Sequence, residues 1–164
     1  MEPKQDLLQL SSQVGQILTD KGDTISTAES CTGGLLAHVL TAVSGASGYY
    51  IGGVVAYSNA IKEIALGVNP ETLIQHGAVS AQTAQEMADG IRHRFMTTLG
   101  LSTTGIAGPT GGTPEKPIGL VFLGLSTPDS TTVFKCQFSG KRGQIQNDSV
   151  QKILQELLQF LITT

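Results

Sequence analysis

Two polar, glycine-rich segments constrain the fold of this chain more than any other feature: ESCTGG at residues 29–34 and TGIAGPTGG at residues 104–112. Each comes directly after a short run with the composition of a strand, DTISTA in the first case and LST in the second. In open α/β sheets, ligands bind beyond the carboxyl ends of the strands. The sequence therefore predicts a ligand site formed where these two strands end.

The first half of the chain alternates predicted helices and strands. Residues 7–18 and the run GGLLAHVLTAV have helical periodicity, whereas the apolar, β-branched run YYIGGVVAYS predicts a buried strand at 49–58. The next run, NAIKEIALG, predicts a short helix with Asn59 as its N-cap and Gly67 as its C-terminal stop.

The second half predicts two longer helices around a hairpin. Ser80 is placed to cap a helix, and IGLVFLGLS and TTVFKCQFS flank a Pro-Asp turn. Leu, Ile and Val recur at i, i+3 and i+4 over residues 150–161, which predicts an amphipathic C-terminal helix. We expect residues 1–164 to form a single α/β domain, a three-layer α/β/α sandwich with a mixed sheet of about five or six strands.

Charge and cysteine content exclude several classes of function. A net charge of −3, a pI near 5.5 and no basic stripe argue against direct binding of nucleic acid or an anionic membrane. The N-terminal run MEPKQDLLQL lacks the apolar core of a signal peptide, and no segment approaches a membrane span. Two cysteines and three scattered histidines predict no metal site, and we expect a cytoplasmic location.

The segment ESCTGG combines nucleophilic side chains with the start of a predicted helix. A helix beginning near Gly33 would present free N–H groups to Ser30, Cys31 or Thr32, where they stabilise an anion or a developing oxyanion. The structural alternative is that Thr32 is an N-cap and the glycines permit close packing. The second segment matches neither a dinucleotide fingerprint nor a phosphate loop, so alone it predicts either a binding loop or a turn.

A nucleophilic serine needs a base, and no histidine lies in a triad setting. Lys62 is the next candidate, because it follows a predicted strand and lies on an otherwise apolar helix. Its pKa would have to fall from about 10.4 to about 7–8, which burial can achieve. Tyr57, five residues upstream, is placed to bond the amine or relay a proton. The alternatives are a solvated surface lysine and a tyrosine that closes the core.

Three blocks of sequence together resemble the CinA C-terminal domain family, also known as nicotinamide-nucleotide amidases. They are TAESCTGGLLAHVLT, then GGVVAYSNAIKEIALGV with HGAVS, and TGIAGPTGGTPEKPIGLVF, in the family's order. The resemblance runs from about residue 8 to residue 162. The chain is similar to the stand-alone amidase form of the family. It implies hydrolysis of nicotinamide mononucleotide to nicotinate mononucleotide and ammonia, without a metal or other cofactor. Ser30 would be the nucleophile, Lys62 the base and Tyr57 the helper.

The substrate-binding set expected on this basis surrounds the two glycine segments. Glu29 would orient Lys62 or bind polar groups of the substrate, and Lys116 or Arg142 would supply charge to the 5′-phosphate. Two positions depart from the family's common pattern: Thr110 and Lys141 stand where an acidic residue is frequent. The complete set consists of Glu29, Cys31, Thr32, Gly33, Gly34, Asn59, Thr104, Gly105, Gly108, Gly111, Gly112, Lys116 and Arg142.

Several alternatives stay open at this level. Cys31 is the rival nucleophile, although adjacent side chains on a turn point apart, and we interpret it as packed under the helix. A non-catalytic nucleotide-binding module would use the same loops and give Lys62 no duty. A DNA-related role, suggested by the family's competence and damage name, conflicts with the acidic pI. The amphipathic C-terminal helix favours a homodimer or higher homo-oligomer.

Overall fold

A five-stranded mixed sheet organises the chain in the computed structural model, which describes residues 4–164. Short loops connect its strands to the helices that flank it. In chain order the elements are α1 (Gln5–Lys21), β1 (Ile25–Glu29), α2 (Leu35–Thr41), β2 (Tyr50–Val55), α3 (Asn59–Leu66), α4 (Pro70–His76), α5 (Ala81–Phe95), β3 (Leu99–Gly105), β4 (Leu120–Ser126), β5 (Thr131–Gln137) and α6 (Arg142–Thr163).

The order of strands across the sheet is β2-β1-β3-β4-β5. The first three strands run parallel, whereas β4 pairs antiparallel with both β3 and β5. Glu29, the last residue of β1, lies opposite Val55 of β2 and Thr103 of β3. The two glycine-rich segments therefore follow the carboxyl ends of neighbouring strands, on the same side of the sheet, as the sequence predicted.

Helices cover both faces of the sheet. Helices α1, α2 and α6 pack together on one face, and α3, α4 and α5 lie on the other. The larger core lies under the first group and includes Leu18, Leu101 and Leu154, all fully buried. This arrangement confirms the three-layer α/β/α sandwich with a mixed sheet. No helix within residues 4–164 combines the length and apolar character needed to cross a membrane.

The apolar stripe of α6 is buried within its own chain. Val150, Ile153, Leu154, Leu157 and Leu161 are at most 2% exposed, and the helix packs against α1 and β4. These five side chains are therefore part of the core, whereas Leu158 of the predicted stripe is half-buried, and self-association stays a prediction. The helix itself, its register and its buried face are as expected from the i, i+3, i+4 spacing.

Three local predictions around α3 have different outcomes. Ser58, not Asn59, is the N-cap, because its hydroxyl accepts a hydrogen bond from the Ile61 N–H at 3.2 Å. Gly67 is the predicted C-terminal stop, with a φ of 69°. The preceding strand, β2, is not fully buried: it forms an edge of the sheet, and Val55 is 48% exposed. Apolar composition indicates a strand but not its place in the sheet.

A close approach between α3 and α5 holds α3 in place. A Cβ atom on Gly90 of α5 would overlap the backbone carbonyl of Leu66, at the end of α3. Helix α5 also packs directly on β1, β3 and β4. Gly90 therefore allows α3, which carries Lys62, to dock against the helix that is fixed to the sheet.

We expect Gly90→Ala to lower the free energy of unfolding by about 2–3 kcal/mol, because backbone must shift to admit the methyl group. The matched control is Gly143→Ala in α6, where an added Cβ meets nothing within 4 Å. That variant should keep or slightly raise stability, by up to about 1 kcal/mol. Urea unfolding of both proteins measures the difference, and equal stabilities would contradict the close-packing argument.

Candidate active site

Ser30 and Lys62 meet at the carboxyl edge of the sheet. Ser30 is the first residue after β1, is half-buried and donates its backbone N–H to the Thr103 carbonyl at 2.9 Å. Lys62 reaches it from the first turn of α3: its Nζ lies 3.1 Å from Ser30 Oγ and donates to the Ala56 carbonyl at 2.7 Å. The structure therefore brings together the two residues that the sequence predicted as nucleophile and base.

The amine of Lys62 is buried without an acidic partner. The residue is 1% exposed, and the ion pair found within residues 4–164 joins Lys152 to Glu156 instead. Burial lowers the pKa of the Lys62 amine from its usual value, while the charge of a Cys31 thiolate would raise it. A neutral amine keeps an N–H for Ala56 and has a lone pair that can accept the Ser30 proton.

Cys31 lies in the core rather than in the site. Its side chain is 5% exposed, and burial raises the pKa of the thiol to about 12, so the thiolate is negligible near neutral pH. Its backbone carbonyl accepts a hydrogen bond from the Gln146 side chain at 2.9 Å. The thiol is therefore packed beneath the turn, as the sequence interpretation held, and it presents no nucleophile to a ligand.

Glu29 caps α2 through its carboxylate. The residue is 1% exposed, and its two side-chain oxygens accept the N–H groups of Gly34, Leu36 and Ala37 at 2.8–3.0 Å and the Thr32 hydroxyl at 2.6 Å. The carboxylate has no salt-bridge partner among the described residues, and it does not bond Lys62. Its predicted role of orienting Lys62 directly is corrected to one of holding the turn.

The same contacts correct the predicted start of α2. The helix begins at Leu35 rather than near Gly33, and the Thr32 hydroxyl serves Glu29 and Thr103 rather than the helix end. The Gly33 N–H donates to the Ser30 carbonyl, and the Gly34 N–H is taken by Glu29. Of the N–H donors expected to stabilise an oxyanion, those of Cys31 and Thr32 make no backbone hydrogen bond among residues 4–164.

Arg142 joins the second glycine segment to Tyr57. The guanidinium donates from Nη1 to the Gly108 carbonyl at 2.9 Å and from Nη2 to the Tyr57 hydroxyl at 3.0 Å. Tyr57 is 62% exposed, and its hydroxyl bonds neither Lys62 nor Ser30 in this structure. The predicted helper therefore lies beside the site with its ring accessible, in contact with a cation rather than with the base.

The remaining members of the predicted set are dispersed. Thr104 is buried and donates its hydroxyl to the Ala78 carbonyl at 2.6 Å, and Gly105 packs closely against Leu120 and Val121. Lys116 donates from Nζ to the His76 carbonyl at 2.6 Å, which ties it to the end of α4. Three further members of the set, Asn59, Gly111 and Gly112, are exposed.

Gln146 is a site residue that the sequence analysis missed. It lies one helical turn after Arg142 in α6, and its amide holds the Cys31 carbonyl next to Ser30. Both residues fall outside the apolar stripe, at the start of the helix. Their i, i+4 spacing would have predicted one polar face at the helix N-terminus.

A cavity of about 490 Å³ opens beside this helix start, lined by Ala107, Pro109, Ile118, Gly140, Lys141 and Arg142.

The sequence profile of the CinA C-terminal domain matches residues 7–161. The chain belongs to the CinA C-terminal domain family. A CinA-like protein of Nostoc punctiforme is 50% identical over 94% of this chain, which spans 38% of that protein. The crystal structure of the competence/damage inducible protein CihA from Agrobacterium tumefaciens has a TM-score of 0.94 at 38% identity, covering 97% of this chain and 98% of that one.

A second solved relative has the same fold at lower identity. It is the CinA superfamily protein of Escherichia coli, with a TM-score of 0.91 at 30% identity, covering 98% of this chain and 94% of that chain. The two positions that the sequence analysis expected to depart from the family's pattern are both exposed. Thr110 lies in the second glycine segment, and Lys141 lines the cavity directly before Arg142. Neither departure touches Ser30 or Lys62.

The buried amine predicts a pH dependence of stability. Between the lowered pKa of Lys62 and its usual value of about 10.4, the unfolded chain holds a proton on Lys62 that the folded chain lacks. The free energy of unfolding therefore rises with pH across this window and falls as the pH drops through it. We expect Lys62→Met to flatten that slope, measured by urea unfolding from about pH 8 to about pH 10.5.

Lys135→Met is the matched control, because it removes a lysine on β5 that is exposed to water. This variant should keep the wild-type slope. If Lys62→Met also keeps it, the Lys62 amine is protonated in the folded protein and is no base at neutral pH.

Proposed function

We propose that this CinA-type domain hydrolyses the carboxamide of nicotinamide mononucleotide to nicotinate mononucleotide and ammonia through a Ser-Lys acyl-enzyme. One observation carries the proposal: the Lys62 amine is buried 3.1 Å from Ser30 Oγ, and no acidic side chain of residues 4–164 bonds it. A merely structural lysine would keep its charge in water or in an ion pair. The enzymatic activity and its substrate extend beyond the family membership established above.

In the acylation step, neutral Lys62 takes the proton of Ser30 as the hydroxyl oxygen attacks the carboxamide carbon. The pyridinium ring of the substrate withdraws electrons, which makes this carbon more electrophilic than that of an ordinary amide. The bond from carbon to nitrogen then breaks, and protonated Lys62 returns the proton to the departing ammonia. Ser30 is left as an ester of the nicotinate group.

In the second step, water hydrolyses the ester with Lys62 again as the base. The amine accepts a proton from water as the water oxygen attacks the acyl carbon. Protonated Lys62 then gives this proton to Ser30 Oγ as the bond between Oγ and the acyl carbon breaks. The oxyanion of each tetrahedral intermediate needs nearby donors, and the N–H groups of Cys31 and Thr32, which make no backbone hydrogen bond within residues 4–164, are the candidates in the turn. One such donor contributes about 3–4 kcal/mol to stabilising the transition state.

The phosphate of the substrate is best served by Arg142. Its guanidinium lines the cavity at the start of α6, next to Lys141, and contacts the Tyr57 hydroxyl. Lys116, the other predicted cation, is tied to the His76 carbonyl, and no contact joins it to Ser30 or Lys62. We assign phosphate binding to Arg142 and stacking of the substrate to the exposed Tyr57 ring.

A non-catalytic nucleotide-binding module is the second candidate, supported by the same cavity. It gives no reason to bury a lysine amine without an acidic partner, so we favour the amidase. Homo-oligomerisation and a cytoplasmic location remain predictions from the sequence, and no nucleic acid partner is proposed.

We expect Ser30→Ala and Lys62→Met each to lower kcat for ammonia release from nicotinamide mononucleotide by about 10³-fold or more, because each removes one half of the dyad. The controls are Ser12→Ala and Lys135→Met, which change exposed residues away from the site and should keep wild-type rates. Full activity of Ser30→Ala would refute the mechanism. A wild-type chain that is stabilised by the nucleotide but releases no ammonia would favour the binding module.

We expect Arg142→Met to raise KM for nicotinamide mononucleotide about 10- to 100-fold, because a charge-assisted contact to phosphate is lost. The same variant should change kcat/KM for nicotinamide riboside, which has no phosphate, less than about threefold. Steady-state ammonia release with both substrates measures the difference. Equal losses on the two substrates would assign Arg142 to the reacting end of the substrate instead.

A further inference from the structure

Glu29 contacts both arms of the dyad. Its backbone carbonyl accepts the Ala56 N–H at 2.8 Å, and the Ala56 carbonyl in turn holds Lys62 Nζ at 2.7 Å. Its carboxylate holds the turn that begins with Ser30, through Thr32 and Gly34. One residue at the end of β1 therefore fixes the position of the nucleophile and of the base.

The side-chain contacts form a buried chain with a defined direction. A carboxylate only accepts, so the single hydroxyl proton of Thr32 goes to Glu29 at 2.6 Å. The Thr103 hydroxyl must then donate to Thr32, also at 2.6 Å. The Thr103 carbonyl accepts the Ser30 N–H, which closes the connection around the turn. All three side chains of this network, Glu29, Thr32 and Thr103, are at most 3% exposed.

The charge of Glu29 matters because every partner of its carboxylate is a donor. Three backbone N–H groups and one hydroxyl satisfy both oxygens, and no cation bonds them within residues 4–164. A glutamine of the same shape would place an NH₂ group against one set of donors. Even with the glutamine oxygen in the place of Oε2, the Ala37 N–H would face the NH₂ group and lose its acceptor, and the helix start would have to shift.

We propose that Glu29 is a positioning residue of the reaction: its carboxylate, through Thr32 and Thr103, holds Ser30 Oγ within proton-transfer distance of Lys62. The inference rests on the Ser-Lys dyad of the proposed function. Displacement of a reacting group by about 1 Å costs about 10²-fold in rate. Loss of the network therefore lowers the reactivity of Ser30 without removing any group that touches the substrate.

The test compares Glu29→Gln, Thr32→Val and Thr32→Ser with the control Ser102→Ala. Ser102 is a fully buried residue next to Thr103 in β3, but its hydroxyl bonds the Ala84 carbonyl on the other face of the sheet. The first readout is the rate at which a fluorophosphonate labels Ser30. There the serine oxygen bonds phosphorus, fluoride leaves and Lys62 takes the proton. The second is kcat and KM for ammonia release from nicotinamide mononucleotide.

We expect Glu29→Gln and Thr32→Val to slow labelling and lower kcat about 10- to 100-fold with KM changed less than about threefold. Thr32→Ser keeps the hydroxyl and should recover at least half the wild-type rate. Ser102→Ala should lose thermal stability while keeping its labelling rate and kcat. If Thr32→Val is no slower than Ser102→Ala, the network only stabilises the fold and the inference is overturned, even where Glu29→Gln fails to fold.

The outcomes separate this inference from the proposed substrate. A wild-type chain that is labelled at Ser30 but releases no ammonia would contradict the substrate alone, and the labelling rates of the variants would still decide the role of Glu29. A wild-type chain that resists labelling would overturn the dyad and the inference together.

Discussion

The parallel pairing of β1 with β2 on one side and β3 on the other is the constraint on which the site depends. It aligns Glu29 with Val55 and Thr103, so three chain segments leave the sheet at one edge. Backbone hydrogen bonds from Ser30 to Thr103 and from Ala56 to Glu29 extend this alignment past the strand ends. The dyad is thus positioned by the sheet and not by a flexible loop.

Burial of two ionisable groups, neither of them paired with an opposite charge, is the second principle of the site. Among the described residues, a carbonyl and a hydroxyl bond the Lys62 amine, and N–H and O–H donors bond the Glu29 carboxylate. Pairing these two groups would have kept the amine protonated. Because the two groups bond different partners, the pKa of Lys62 stays lowered and the Glu29 carboxylate holds the turn. A Ser-Lys mechanism requires both a neutral lysine and a fixed serine.

Helix α6 supplies the rest of the site from the far end of the chain. Its apolar stripe belongs to the core, while its first turn carries Arg142 and Gln146 to the carboxyl edge. The helix therefore stabilises the fold with one face and borders the candidate substrate cavity with its N-terminus. This explains how a chain with a net charge of −3 presents a local cationic surface, Lys141 and Arg142, at the cavity beside the start of α6.

Local pattern in the sequence determined the fold class and most elements, because periodicity, glycine stops and short polar motifs act within a few residues. The stripe of α6 and the stop at Gly67 follow from it, whereas the choice of Ser30 and Lys62 as a pair came from the resemblance to the family. Only the tertiary structure decided the partners of Glu29, Tyr57 and Arg142 and the edge position of β2. These features depend on contacts between residues that are far apart in the sequence, as Gln146 and Cys31 are, at a separation of 115 residues. A pattern that spans a few residues cannot predict such contacts.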